Sequence, residues 1–318
     1  MSDRNETPTD PRIHSTFDHL RSLAGSARRL SFMPKQQAGS VLNGRHASRL
    51  RGRGLNFEEL REYRAGDDVR AIDWKVTARR GEPYVRVYTE ERDRPALLII
   101  DQRMSMFFGT RHAMKSVVAA EAAAIAAHRI LAQGDRVGGI IFGDEDLREI
   151  RPRRSQSALH ALLLEISSMN QALRADRPPV ESSMSLNRPL EAAMRIARHD
   201  HLVMIFSDFD HVDDRTKRLV TGLARHNDVF LFVVSDPIAM DIPPGGRLVA
   251  SDGEMQMELD TENTAARAKI QDMTRGRLER IMLWQKELGL PVLPLSTAED
   301  ALPQLHRLLG HVGPRRPR

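Results

Sequence analysis

The chain has 318 residues, of which 41% are hydrophobic, so it can bury one large core or two smaller ones. It carries a formal net charge of +5 and contains no cysteine, which excludes disulfides, thiolate metal sites and cysteine nucleophiles and favours a reducing compartment. Its longest apolar runs have the length of β-strands, whereas a membrane-spanning helix needs roughly 20 apolar residues. We therefore expect a cytoplasmic protein without a membrane segment.

Residues 1–43 are predicted to form a basic arm that contains one amphipathic helix. Apolar residues recur at steps of three and four from His14 to Leu30, which is typical of a helix with one buried face. No acidic residue occurs between Asp18 and Glu58. Such an arm could fold over an acidic face of its own domain, or it could bind a partner protein or nucleic acid. Nucleic acid is the weakest of these hypotheses, because the aromatic stacking positions of a single-strand binder are lacking.

Residues 44–94 form a second segment, in which charged residues of both signs are dense and residues 83–89 alternate as a β-strand. We favour an ion-pair lattice that packs this segment on the core, with the rings of Tyr63 and Trp74 buried in apolar grooves. The alternative is a catalytic cluster of carboxylates, since acids on turns can serve as bases or metal ligands. The charged residues at issue are Asp67, Asp68, Arg70 and Asp73.

Residues 95–310 alternate between apolar strands and helices, and residues 311–318 are predicted to be a disordered tail. Strands are predicted at residues 96–100, 136–142, 147–151, 201–206, 228–234 and 291–295, and helices at residues 114–131, 157–169, 188–197, 217–225, 264–288 and 298–309. This alternation predicts an α/β fold with a mostly parallel sheet and helices on both faces. Two alternating runs around Asp252-Gly253 predict a β-hairpin excursion at residues 247–259.

One stretch of the chain resembles a known family. The run from Asn56 to Arg80, with Gly66-Asp67-Asp68-Val69-Arg70 at its centre, precedes an apolar strand that ends in Asp101 and is followed by Ser105. This combination resembles the domain-of-unknown-function family 58 (DUF 58), a bacterial branch of the von Willebrand factor A-like domains. The resemblance implies a Rossmann-like α/β domain. It also implies a partner, because members are usually encoded beside MoxR-type AAA+ ATPases and are thought to act as their adaptors.

The resemblance further implies a metal site at the top of the sheet. Domains of the von Willebrand A type bind Mg²⁺ or Mn²⁺ through an Asp-x-Ser-x-Ser pattern, a Thr from a second loop and an Asp from a third. In this sequence Asp101 and Ser105 match the first loop and Asp208 matches the third. Arg103 replaces the first Ser, and Met184 stands where the Thr should be. The predicted metal site is therefore degenerate.

Two interpretations of this degenerate site remain open. Mg²⁺ or Mn²⁺ could bind the oxygens that are left, with Ser183 or Ser185 taking part only if their loop shifts by one residue. Alternatively, the guanidinium of Arg103 serves as a built-in cation and pairs with the acids in place of a metal. We favour the second interpretation. In either case Asp101 and Asp208 should lie within a few ångströms of each other, since both follow buried strands of the same sheet.

The leading functional hypothesis is a non-catalytic interaction module that works with a MoxR-type AAA+ ATPase in the remodelling or maturation of other proteins. The ATPase is expected to bind the edge that carries Asp101, Ser105 and Asp208, helped by the basic arm. The alternative is a metal-dependent hydrolase or phosphoryl-transfer enzyme that uses Asp101, Asp208 and the turn at Asp67 and Asp68. An enzyme of that kind should retain its metal oxygens, and this chain has exchanged two of them.

Overall fold

The computed structural model describes residues 10–27, 55–64, 67–90, 94–174, 183–239, 247–251, 256–260 and 264–310. The chain divides into two compact units. The small unit is Gln36–Asp93, and the large unit combines Met1–Lys35 with Arg94–Arg318. The predicted end of the arm at residue 43 and the predicted tail at residues 311–318 fall outside the described residues and stay predictions.

The helices and strands are numbered in chain order. The helices are α1 (Phe17–Ser22), α2 (Ala24–Ala27), α3 (Trp74–Arg80), α4 (Lys115–Ala132), α5 (Gln156–Gln171), α6 (Asn187–Ile196), α7 (Asp214–Ala224), α8 (Thr264–Leu288) and α9 (Ala301–Gly310). The strands are β1 (Leu55–Glu62), β2 (Tyr84–Glu90), β3 (Ala96–Asp101), β4 (Val137–Phe142), β5 (Leu147–Arg153), β6 (Leu202–Ser207), β7 (Asp228–Ser235), β8 (Arg247–Ser251), β9 (Gln256–Asp260) and β10 (Val292–Ser296).

The large unit is built on a six-stranded sheet with the strand order β10-β7-β6-β3-β4-β5. All neighbouring strands are parallel except β5, which is the antiparallel partner of β4 at one edge. The chain reverses its direction of winding beside β3, which pairs with β4 on one side and with β6 on the other. In open α/β sheets this switch point is where ligands bind. The predicted α/β fold with a mostly parallel sheet is confirmed.

Both faces of this sheet are covered by helices. Along β3, Leu98 and Ile100 join one core with α1, α2, α4, α5 and α9, whereas Leu97 and Ile99 join a second core with α6, α7 and α8. The central strands β3, β4 and β6 are buried along their whole length, as expected for parallel strands covered on both sides. Most of α4 consists of buried small side chains, so this helix packs closely on the sheet and fixes the position of its first residue, Lys115.

The hairpin excursion is also confirmed, since β8 pairs antiparallel with β9. Its predicted turn at Asp252-Gly253 lies outside the described residues. The prediction of one continuous helix from His14 is wrong, because α1 ends at Ser22 and the short α2 follows. Thr16 caps α1 by accepting a hydrogen bond from the His19 N–H at 3.2 Å. The predicted docking of this segment is confirmed for α1, since Leu20 is fully buried in the core.

The small unit pairs β1 antiparallel with β2. Between these strands lie a 3-10 turn at Val69–Ala71 and the helix α3. Asp68 caps the turn through the Arg70 N–H, and Asp73 caps α3 through the N–H groups of Lys75 and Val76. Strand β1 and helix α3 are not predicted from the sequence, because dense charges of both signs hide the apolar period of each element.

The predicted burial of Trp74 is wrong, since 67% of this residue is exposed. Tyr63 is only half-buried. The backbone explains the difference for Trp74: Asp73 turns inward to cap α3 and is buried, so the first residue of the helix points outward. The charged residues of the predicted ion-pair lattice have different roles in the structure. Asp67 pairs with Arg61 at 2.8 Å, while Asp68 and Asp73 act as helix caps and Arg70 is exposed.

Candidate functional site

Two buried aspartates lie at the carboxyl edge of the sheet, where the parallel strands end. Asp101 is the last residue of β3, and Asp208 directly follows β6, the parallel neighbour of β3. Their exposed fractions are 0% and 2%. Arg103 Nη2 lies 2.7 Å from Asp101 Oδ2 and 3.9 Å from Asp208 Oδ1. The fold therefore places both carboxylates around one guanidinium, as the sequence predicts.

The guanidinium of Arg103 is bound on every side. Its Nε donates to Asp101 Oδ1 at 3.0 Å and its Nη2 to Asp101 Oδ2 at 2.7 Å, a bidentate pair, while Nη1 donates to the Met184 carbonyl at 3.1 Å. The Cζ atom lies 5.4 Å from the ring centre of Phe142. Burial lowers the pKa of Arg103, but the charges of Asp101 and Asp208 outweigh burial and raise it above its ordinary value.

A second cation, Lys115, binds the other carboxylate. Its Nζ donates to Asp208 Oδ2 at 2.6 Å, and the Asp210 N–H donates to Asp208 Oδ1 at 3.0 Å. Burial alone raises the pKa of Asp208, but Lys115, Arg103 and Arg277 outweigh it and hold this pKa below its usual range. Lys115 is not among the residues predicted from the sequence. The available signal was a lysine at the start of an alanine-rich helix whose first turns are mostly apolar, because a buried lysine requires a partner.

The hydroxyl beside Asp101 comes from Ser207. Ser207 Oγ donates to Asp101 Oδ2 at 2.6 Å and accepts the Phe209 N–H at 2.9 Å. Ser105, which the sequence places in this role, lies in the 3-10 turn Met104–Met106. Its Oγ is buried and has no hydrogen-bond partner among the described residues. We call Asp101, Arg103, Lys115, Ser207 and Asp208 the central site.

The central site does not fit a divalent cation. All four carboxylate oxygens of Asp101 and Asp208 already accept hydrogen bonds from the protein, and Arg103 and Lys115 supply two positive charges for these two acids. Met184 has a buried side chain and offers only its carbonyl, which is bound to Arg103. A Mg²⁺ or Mn²⁺ ion requires several free oxygen ligands with room for water. The described residues also contain no other cluster of acids or histidines that could hold a metal.

Neither serine beside Met184 faces the two central acids. Ser183 Oγ donates to Asp144 Oδ1 at 2.5 Å, and Ser185 is exposed. The other oxygen of Asp144 accepts the Met104 N–H at 2.9 Å. Asp144 therefore joins the loop after β3 to the loop before α6. We call the loops around the central site, which follow β3, β4 and β6 and precede α6, the rim.

Part of the rim is held in a strained conformation. Phe209 and His211, which follow β6, have positive φ angles of 53° and 55°, a region that residues other than glycine rarely adopt. Helix α8 holds this loop, because Arg277 Nη1 donates to Asp210 Oδ1 at 2.9 Å and Arg280 Nη1 donates to the Val212 carbonyl at 3.1 Å. The buried ring of Phe209 adds packing to these contacts. A partner that binds here would contact a fixed surface.

Comparison with known proteins identifies the family. A family model described as "Protein of unknown function DUF58" matches residues 59–280. The chain belongs to this family. It is also 30% identical over 291 residues to uncharacterised proteins of Mycobacterium bovis and Mycobacterium tuberculosis, and the match covers 90% of this chain and 89% of each relative. The family prediction is therefore confirmed.

The solved structures that the DUF58 chain resembles include two von Willebrand factor A domains. The VWA domain of SpRpn10 is 11% identical with a TM-score of 0.37, and the match covers 67% of this chain and 94% of that one. A von Willebrand factor type A protein from Catenulispora acidiphila is 11% identical with a TM-score of 0.38, and the match covers 72% of this chain and 44% of that one. Within the described part of the DUF58 chain, no helix combines the length and apolar character needed to cross a membrane.

In this DUF58 protein another buried aspartate at the end of a sheet strand fixes the loop between β3 and α4. Asp236, which follows β7, accepts hydrogen bonds from Thr110 Oγ1 at 2.6 Å, the Thr110 N–H at 2.8 Å, Thr297 Oγ1 at 2.5 Å and the Ile238 N–H at 2.9 Å. Burial raises its pKa, but the hydrogen bonds from Thr110 and Thr297 outweigh burial and lower it. Asp236 thus ties the loop that carries Arg103 to the end of β10.

Hydrogen bonds also join the N-terminal segment to the loop that follows β3. Gln102 Nε2 donates to the Ser116 carbonyl at 3.0 Å, and Asn170 Nδ2 donates to Gln102 Oε1 at 2.9 Å. The Ser15 N–H then donates to Asn170 Oδ1 at 2.6 Å. These buried contacts connect residues 14–16, α5 and the loop after β3, so the N-terminal segment helps to hold Arg103 in place.

The remaining predicted residues of the DUF58 signature lie in the small unit. Arg61 donates to both oxygens of Asp67, each at 2.8 Å, and the Arg64 N–H adds a third hydrogen bond. These bonds, led by those from Arg61, lower the pKa of Asp67 to about 2. The carboxylates of Asp68 and Asp73 bind backbone N–H groups. These three acids therefore support the local backbone.

Proposed function

We propose that this DUF58 protein is a non-catalytic interaction module that serves as an adaptor for a MoxR-type AAA+ ATPase. The family resemblance suggests the partner. The observation that carries the proposal is the neutralised central site, in which Arg103 and Lys115 bind both carboxylates. A general base or a metal ligand needs an accessible oxygen, whereas these oxygens are buried and bound by the protein itself.

A partner would contact the rim and not the central acids. Asp101 and Asp208 are themselves buried, so the loops around them would supply the contact at this edge of the sheet. The exposed groups of the rim include an aromatic ring, two acids, two hydroxyls and an imidazole, which belong to Phe108, Glu145, Asp146, Ser183, Ser185 and His211. The buried ion pairs hold the loops that present these groups. The proposed role of the central site is therefore to shape a binding surface.

The enzyme hypothesis receives no comparable support. Asp67 and Asp68 belong to the small unit, where Arg61 binds both oxygens of Asp67 and one oxygen of Asp68 accepts the Arg70 N–H. Asp101 and Asp208 are held by cations in the large unit. We accordingly do not propose a hydrolytic or phosphoryl-transfer step.

The proposed function is tested by pull-down with the MoxR-type ATPase encoded nearest to this protein, in the presence of ATP, of ADP and of no nucleotide. Association is expected in at least one of these states. Phe108→Ala and Ser185→Arg should weaken it at least tenfold, whereas Leu164→Ala, an exposed apolar site on α5, should not. Absence of association in every nucleotide state, or equal binding by all variants, would contradict the proposal.

The built-in cation can be tested separately by titration calorimetry. We expect the wild-type protein to bind neither Mg²⁺ nor Mn²⁺ at millimolar concentrations. Arg103→Ser combined with Met184→Thr removes the guanidinium and adds two hydroxyls, so this variant should regain binding of a divalent cation. Arg103→Ser combined with Met184→Leu is the matched control, because it lacks the second hydroxyl. Tight binding of either metal by the wild type would show that Arg103 does not replace the ion.

A further inference from the structure

The small unit carries an exposed face that the proposed function does not use. Helix α3 has seven residues, and those at positions 74, 75, 78 and 79 lie on one side of the helix and are exposed. They are Trp74, Lys75, Ala78 and Arg79, which we call the Trp74 face. Trp74 is 67% exposed, and Val69 in the preceding 3-10 turn is 60% exposed. Tryptophan is highly buried on average in folded proteins, so an indole as exposed as that of Trp74 is unusual.

The charge on this face has one sign. Between Val69 and Arg80 the only acidic residue is Asp73, which is buried and caps α3. Arg70, Lys75 and Arg79 are exposed, and none of them forms an ion pair among the described residues. The face therefore combines a protruding indole with unpaired positive charges. Tryptophan and arginine are the residues that most often dominate the binding energy of protein interfaces.

The backbone holds the face rigidly. Asp73 Oδ1 accepts the N–H groups of Lys75 at 3.0 Å and Val76 at 3.2 Å, and the Asp73 N–H donates to the Tyr84 carbonyl at 2.8 Å. The Tyr84 N–H donates to Thr77 Oγ1 at 3.1 Å, so α3 is also tied to β2 through its middle. A surface that is already ordered loses little conformational entropy when it binds a partner.

We propose that the Trp74 face is a docking site for an acidic protein segment that carries a large apolar side chain. The carboxylates of the segment would pair with Arg70, Lys75 and Arg79, and its apolar side chain would pack on the indole of Trp74. Nucleic acid fits this face less well, because a single-strand binder presents several aromatic rings along a basic groove and this face has one. The docking site is distinct from the rim and does not depend on the proposed ATPase adaptor role.

The test uses the full-length protein and a synthetic peptide of glutamate residues with one central phenylalanine. The emission of Trp74 is obtained as the difference between the wild type and Trp74→Ala, since the second tryptophan, Trp284, is buried. The peptide should shift the Trp74 emission to shorter wavelength, and added salt should weaken the effect. Lys75→Glu combined with Arg79→Glu should weaken peptide binding at least tenfold, whereas Arg198→Glu, an exposed charge in the large unit, should not.

Two comparison probes complete the test. The same peptide with lysine in place of glutamate should give no shift, and a single-stranded DNA oligonucleotide should give a weaker shift than the acidic peptide. The inference is overturned if the acidic peptide leaves the Trp74 emission unchanged, or if DNA shifts it as strongly at the same charge concentration. The ATPase pull-down decides the adaptor proposal independently, so the failure of one proposal is distinguishable from the failure of the other.

Discussion

The acidic side chains at issue in the two units of this protein differ in how deeply they and their ion pairs are buried. In the large unit Asp101 and Asp208 are buried at the sheet edge, and side-chain cations bind them. In the small unit Asp67 pairs with Arg61 near the surface, and Asp68 caps a turn in solvent. A buried ion pair costs much free energy when one partner is removed, whereas an exposed pair contributes little. We therefore expect the loss of one partner of an ion pair to lower the free energy of unfolding more in the large unit than in the small unit.

Removal of the guanidinium from the central site should have the largest effect on stability. Arg103→Met keeps most of the volume of the side chain but leaves Asp101 buried without a cation. We expect a loss of about 3–5 kcal/mol in the free energy of unfolding, measured by urea denaturation. Adding Asp101→Asn to Arg103→Met should recover part of this loss, because the unpaired charge is removed. A double variant as unstable as the sum of the two single ones would contradict a direct pair.

The second-largest effect on stability is expected from acidification, which protonates Asp208. The pKa of Asp208 is lower in the folded protein than in an unfolded chain, so its ion pairs stabilise the protein fully above the unfolded value of about 4. This stability is lost as the pH falls below that value and through the folded-state pKa. Each proton taken up on unfolding contributes a slope of about 1.4 kcal/mol per pH unit.

The acid effect is checked by measuring urea midpoints across this pH range for the wild type and for two variants. Asp208→Asn should flatten the decline, because the titrating carboxylate is gone. Asp146→Asn, an exposed acid of the rim, should decline as the wild type does. Parallel curves for all three proteins would show that Asp208 does not carry the acid sensitivity.

Loss of a helix cap in the small unit should have an intermediate effect. Asp73→Ala removes the acceptor of two N–H groups at the start of α3, and caps of this kind contribute about 0.5–2 kcal/mol. Urea denaturation of the full chain should show a loss of that size, and Asp73→Asn should restore much of it, since asparagine also caps helices. A loss comparable with that of Arg103→Met would show that Asp73 holds more than the helix end.

The ion pair between Arg61 and Asp67, which is only partly buried, should matter least. Arg61→Ala removes the partner of Asp67, but both side chains are in contact with solvent, which screens their attraction. The urea midpoint at neutral pH should therefore stay within experimental error of the wild type. A clear drop in the midpoint would mean that the pair is shielded from water and that the contrast between the two units is smaller than the structure indicates.

Much of the fold could be predicted from the sequence, because local patterns of apolar residues determine many of its strands and helices. The apolar runs that became β3, β6 and β7 and the apolar periods of α5 and α6 depend on neighbouring residues alone. The segment from His14 onward was less predictable. Its apolar period continues through Leu23, but Ser22 and Gly25 favour a helix break, and packing against α4 and α5 decided where the chain turns.

The central site could likewise be predicted from the sequence only in part. The sequence places Asp101, Arg103 and Asp208 at the ends of strands, and adjacent parallel strands bring such ends together. It could not assign the hydroxyl beside Asp101 to Ser207 in preference to Ser105, because side-chain direction at a strand end depends on the loop that follows. The contact between Arg103 and the Met184 carbonyl could not be predicted either, because every residue type has a backbone carbonyl.

The sequence by itself determined the family and the α/β alternation, because these depend on residue types and their spacing along the chain. Only the tertiary structure decided that Lys115 is the second cation and that Trp74 points outward. Both outcomes depend on contacts between distant segments and on burial. Whether a charge is paired or an aromatic ring is covered depends on what the folded chain places next to it, and local sequence does not specify that neighbour.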